Sequence, residues 1–173
     1  MTDDFTPWLL TSGEAVLAQA KLAVDTITEG DIAAYPSLGP PVAELCDRLT
    51  IHLVTLGPNA SSQKVMNETS GCAPGLSPIL VGAWEVQLWR NCYPGLSVAN
   101  GRITVPSLAA LEQMSSGMYA QGQALYAGLV AGYTGGFPEM PACASKVLIG
   151  ALAPLPPQGT AVGWRVPLTI EYG

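Results

Sequence analysis

Charge is what this chain is shortest of. Asp, Glu, Lys and Arg make up 12% of its 173 residues, about half the usual share in a soluble domain. A monomer that meets water on every side carries more charge. Part of this surface is therefore expected to be covered by other subunits. The competing reading is a domain made soluble by Ser, Thr, Gln and Gly. Basic residues are the scarcest: seven, scattered from Lys21 to Arg165, against thirteen acidic ones, for a net charge of −6. That excludes the electrostatic footprint of a nucleic-acid binder and leaves no basic cluster for anionic lipid.

Histidine occurs once, at His52. A Ser–His–acid triad or a Cys–His pair would have to use it, and His52 sits inside an alternating strand pattern, where a polar-face histidine is the plainer reading. The phosphate-binding G-x-x-x-x-G-K-[ST] loop, the G-x-G-x-x-G fingerprint and the G-x-S-x-G elbow are all absent. Long apolar runs are missing too. The region near Ala124 to Tyr133 is broken by Gly128 and Gly132, well short of the roughly 20 apolar residues of a membrane helix. The opening MTDDFTPWLL is acidic and unlike a signal peptide. The chain is expected to stay in the cytosol unless it leaves inside a larger particle.

The four cysteines, at 46, 72, 92 and 143, form no C-x-x-C pair. Cys46 and His52 are too isolated for a zinc site. The favoured reading is four small buried hydrophobes. The alternative is one or two disulfides formed late, in an oxidising exterior. Cys72 and Cys92, which flank a strand-like run, are the first pair to test.

What is present is pattern. Residues 1–10 read as a loose arm, and residues 11–173 as one domain. Thr11-Ser12-Gly13-Glu14 resembles a capping box, predicting a helix to about Thr28 with Val16, Ala20, Ala23 and Ile27 on one stripe. Pro36, Gly39, Pro40 and Pro41 mark a connector. Leu49, Ile51 and Leu53 alternate with Thr50 and His52, which predicts a strand. The polar stretch 57–78 exceeds the usual length of a connection. A second strand is predicted over 79–93, with Trp84, Val86 and Leu88 on one face and Glu85, Gln87 and Trp89 on the other. A long helix follows from about Thr104, its core stripe running from Leu108 to Leu129. Its glycines at 117, 122, 128 and 132 suggest close approach of another backbone. Tyr119, Tyr126 and Tyr133, spaced by seven, form a second stripe, read first as packing on the sheet and second as a contact face.

The last 28 residues read as a strand, a Pro-rich excursion and a closing strand. In the closing strand Trp164, Val166, Leu168, Ile170 and Tyr172 alternate with Arg165, Pro167, Thr169 and Glu171. Pro167 suggests an edge or a bulge there. The connector from Ala153 to Val162 is expected to be stiff and extended, without a tight hairpin turn. Glu85 and Glu171 lie on strand faces and are able to approach each other, yet nothing places them in a cleft as a glycosidase pair. The predicted order is α-β-β-α-β-β: an α+β fold with a small antiparallel sheet, helices on one face and long loops. No catalytic, cofactor or metal site is called. Tyr119, Tyr126, Tyr133, Trp164 and Arg165 are the candidate interface.

That order, with the strands Cys46-Asp47-Arg48-Leu49-Thr50-Ile51-His52-Leu53 and Ala83-Trp84-Glu85-Val86-Gln87-Leu88-Trp89-Arg90-Asn91-Cys92, the following Tyr93-Pro94, and the ending Val162-Gly163-Trp164-Arg165-Val166-Pro167-Leu168, resembles the tail terminator and neck proteins of long-tailed actinobacteriophages. The resemblance spans about residues 11–172 and is one of spacing, not of a signature motif. It implies a homo-oligomeric ring, of six copies in that family, assembled in the host cytoplasm and carried in the virion. The ring would cap the tail tube, contacting the major tail tube protein, and join the head-to-tail connector and stopper proteins. It implies neither catalysis nor a cofactor. Genomic DNA would pass through an acidic lumen without specific binding. The 22-residue stretch from Gly57 to Pro78 is longer than the family pattern, which keeps a neighbouring connector or stopper protein open beside the terminator. A small α+β ligand-binding domain or enzyme, and an adaptor working by strand addition, are the remaining alternatives.

Overall fold

A computed structural model describes residues 6–28, 32–39, 47–58, 80–90, 97–99, 102–104, 107–158 and 161–173. The elements in chain order are α1 (Thr6–Asp25), β1 (Ala33–Ser37), β2 (Arg48–Pro58), β3 (Leu80–Arg90), β4 (Ser97–Ala99), β5 (Arg102–Thr104), α2 (Leu108–Gly135), β6 (Ala144–Ile149), β7 (Ala153–Gln158) and β8 (Ala161–Tyr172). The architecture is α+β: two helices against a six-stranded mixed sheet, with β4 and β5 paired apart as a small second sheet.

The main sheet runs β1-β2-β3-β8-β6, with β7 also paired to β8. β1 is parallel to β2 and every other pairing is antiparallel, so the sheet is mixed where a purely antiparallel one was expected. β6 and β7 occupy the same edge of β8 end to end. β6 pairs with residues 168–172 and β7 with residues 161–165. Together they make one edge strand interrupted at residues 150–152.

Pro167 sits at that interruption. Its carbonyl accepts from Gly150 N at 2.8 Å. In a strand the carbonyl and the N–H of one residue point to the same side. The N–H that proline lacks therefore belongs to the break between β6 and β7, while the other side of β8 keeps its full ladder to β3. The proline marks a gap in the neighbouring strand, and β8 itself is central. This corrects the expectation of an edge, with the missing donor as the reason.

The periodicities of β2, β3 and β8 all resolve onto one buried face. Leu49, Ile51, Val86, Leu88, Val166 and Ile170 are fully buried there beneath Val16, Ala20 and Val24 of α1 and Leu125 and Leu129 of α2. The Trp8 and Tyr172 rings meet edge to face at 4.6 Å at one end of this core. α1 begins at Thr6, inside the predicted arm. Pro7 fits a first helical turn, and Thr11, read as an N-cap, is interior: its hydroxyl donates to Pro7 O at 2.9 Å. Within the predicted connector, Ala33–Ser37 forms an edge strand despite Pro36. β7, within the predicted Pro-rich excursion, is extended as expected, but it also turns back on β8, with Gln158 opposite Ala161.

Of the four glycines in α2 read as sites of backbone approach, Gly128 is one. A Cβ there would stand 2.5 Å from Ala23 Cβ and 3.2 Å from the Gln19 carbonyl of α1. Gly122 and Gly132 instead lie against the rings of Trp164 and Phe137, and Gly117 faces open space.

Candidate interaction surface

The two halves of α2 differ. Ser107 caps it, its hydroxyl accepting from Ala110 N at 3.2 Å. From Gly122 onward the helix buries a stripe, but its first three turns bury no residue fully, and Leu108 is 72% exposed. The core stripe read from Leu108 to Leu129 thus meets the core only in its second half. The first half instead shares a groove with Pro154 and Leu155 of β7 and Val162 and Trp164 of β8.

Trp164 fastens this half of the helix. Its indole lies over Gly122, where a Cβ would stand 2.6 Å from the ring. Nε1 donates to Met118 O at 2.7 Å. Tyr119 meets the same ring edge to face, centroids 6.5 Å apart and planes at 65°. Beside this pair lies a groove of about 400 Å³, lined by Leu111, Met114 and Met118 of α2, Pro154 and Leu155 of β7, and Val162 and Trp164 of β8. Flexible thioethers beside an aromatic ring make an adaptable apolar surface.

The predicted interface residues therefore divide. Tyr119 and Trp164 come together. Tyr126 is half-buried against the core, while Tyr133 is exposed and lines a second hollow with Phe137, Met140 and Val147. Fourteen helical residues place Tyr133 about 21 Å from Tyr119. So the tyrosine stripe does not pack on the sheet as a unit. Arg165 points from the opposite face, 3.6 Å from Glu85 Oε2.

That opposite face carries a polar row which the alternation of β3 foreshadowed without showing its connections. Trp89 Nε1 donates to Gln87 Oε1 at 2.8 Å, and Gln87 Nε2 donates to Glu85 Oε1 at 2.6 Å. His52 lies directly across from Glu85, and Arg48 stacks 5.5 Å from the Trp89 ring centroid. Burial holds the His52 imidazole below its ordinary pKa, with the Glu85 carboxylate partly opposing that. Its Nδ1 has no hydrogen-bond partner among the described residues. His52 thus faces a carboxylate that is already paired with Arg165 and Gln87.

Glu85 and Glu171 do not meet. Their β8 positions, Pro167 opposite Glu85 and Glu171 itself, are four residues apart, about 13 Å along the strand. Glu171 is 3.7 Å from Lys146 instead. Among the described residues no group of three His, Cys, Asp or Glu side chains is placed to hold a metal ion, and no helix is long and apolar enough to cross a membrane. Cys72 and Cys92, the proposed pair, lie outside the described residues, as does Cys46. Cys143 is buried and disulfide-bonded. No protein-family model matches this chain, and no curated protein matches it.

Proposed function

We propose that the chain is a structural ring subunit of a long-tailed phage virion: a tail terminator that caps the tail tube and meets the head connector, or the connector or stopper protein beside it. One observation carries the reading. The first half of α2 and the facing residues Pro154, Leu155, Val162 and Trp164 of β7 and β8 line an apolar groove, with Tyr119 exposed beside Trp164 and Leu108 exposed at the start of the helix. An apolar surface of this kind on a chain with 12% charge is the signature of a face that another subunit covers.

Sedimentation and electron microscopy of the purified protein test it. A six-membered ring has a mass of about 107 kDa, six times 17.9 kDa, and is annular in micrographs. Leu108→Ser with Tyr119→Ser should return it to the monomer mass while leaving the fold intact. A monomer at every concentration, alone and mixed with purified tail tubes, overturns the proposal. The groove also favours one other reading, an α+β domain that takes a small apolar ligand. Saturable quenching of Trp164 fluorescence by such a ligand in the monomer would select it.

A further inference from the structure

We infer that His52, Glu85 and Arg165 form a proton-operated charge switch on the face of the sheet away from the helices: an imidazolium at His52 takes the Glu85 carboxylate and releases the Arg165 guanidinium. The three residues come from neighbouring strands, with β3 between β2 and β8. His52 is directly opposite Glu85 on one side. On the other side Arg165 is opposite Gln87, two residues along from Glu85. Alternation puts all three on one face. Directly opposed residues hold their Cβ atoms about 5 Å apart, close enough for the ring and the carboxylate to bond.

The two oxygens of Glu85 are held unequally. Oε1 accepts from Gln87 Nε2 at 2.6 Å. Oε2 stands 3.6 Å from Arg165 Nη1, beyond hydrogen-bond length, so charge alone holds that side. The Arg165 side chain is half exposed, and water screens a contact of this kind. His52 is half-buried, and its Nδ1 is buried with no hydrogen-bond partner among the described residues. A neutral imidazole has one N–H and an imidazolium has two. A charged ring in this place needs an acceptor, and Glu85 faces it.

The other neighbours are engaged or uncharged. Ser37 of β1 is opposite His52, and its hydroxyl donates to Gly39 O at 2.9 Å. Tyr35 of β1 is opposite Thr50, which precedes His52 on the same face of β2. Arg48, four residues before His52, stacks on Trp89. Glu171, four positions further along β8 than the partner of Glu85, is paired with Lys146. Burial favours the neutral ring and the Glu85 charge opposes it. The proton therefore arrives below the ordinary value of 6.5, and at neutral pH Glu85 stays with Arg165. The step moves one proton from solvent to the ring and adds one positive charge to this face. Nothing in it depends on the apolar groove, so it stands or falls apart from the assembly proposed above.

His52 is the only histidine of the chain, so its ring signals are unambiguous. The test is a side-chain NMR titration of the full chain between about pH 8 and 5. The His52 ring and the Arg165 Nε and Cζ signals should move with one common midpoint. Glu85→Gln should lower the His52 midpoint by about one pH unit and abolish the Arg165 response, whereas Arg165→Gln, which removes the competing cation, should raise it by about half a unit. An Arg165 signal that ignores the His52 transition overturns the switch. So does a His52 midpoint that fails to fall in Glu85→Gln or to rise in Arg165→Gln, or a ring that stays neutral until the protein unfolds.

Discussion

Two glycines in one helix call for opposite outcomes on substitution. Gly117 is exposed and a Cβ there meets nothing within 4 Å, so Gly117→Ala removes only backbone freedom from the unfolded chain and should stabilise by about 0.5–1 kcal/mol. Gly128 faces α1, and a Cβ would run into Ala23 and the Gln19 carbonyl. Backbone cannot step aside as a flexible side chain can, so Gly128→Ala should destabilise by about 1–3 kcal/mol. Urea unfolding of the two variants checks both signs at once. Equal effects would mean that α1 and α2 do not touch at Gly128.

Among the elements, α2 and β8 depend on one side chain. Trp164 joins them through a ring over Gly122 and a bond to Met118 O. Trp164→Ala should cost about 2–4 kcal/mol, whereas Trp164→Phe, which keeps a ring and loses the N–H, should cost about 1 kcal/mol. Thermal unfolding of both variants separates packing from hydrogen bonding. The sequence made the strands β2, β3 and β8 visible because each buries one face, which writes a period of two into Leu49/Ile51, Trp84/Val86/Leu88 and Val166/Leu168/Ile170. β1 and β7 were hidden by their prolines. An edge strand needs hydrogen bonds on one side only, so Pro36 and Pro154 are tolerated where a central strand would exclude them. The start of α1 was misplaced because a local capping pattern at Thr11 outweighed Pro7. The meeting of Tyr119 with Trp164 joins residues 45 positions apart, which no local periodicity encodes. Arg165 was grouped with Trp164 by sequence adjacency, yet neighbours in a strand face opposite ways.

The stability of the whole molecule should be bounded on both sides in pH. His52 is held below its ordinary value of 6.5 in the fold. The unfolded chain binds that proton more readily, so stability is full above about 6.5 and falls as pH drops below it. Tyr172 is pushed up to about 12 from 10 by burial. Ser12 and Trp84 lie near enough to oppose that slightly, but neither makes a hydrogen bond of good geometry with the phenol oxygen. Here the folded state holds the proton more tightly. Stability is full below pH 10 and lost between about 10 and 12, on the order of 2–3 kcal/mol. Denaturant melts across pH should show both flanks. His52→Gln should flatten the acid flank, and Tyr172→Phe the alkaline one.

The interrupted border formed by β6 and β7 has a meaning for growth. A continuous outer strand is a template on which another chain can lay itself, and on which a third can then follow without end. Here one border is split at Gly150 and studded with Pro154 and Pro156, and the opposite border carries Pro36. Neither offers an unbroken row of donors and acceptors. Edge-to-edge pairing of one sheet with another, the route by which sheets run on into fibres, is therefore disfavoured at both borders.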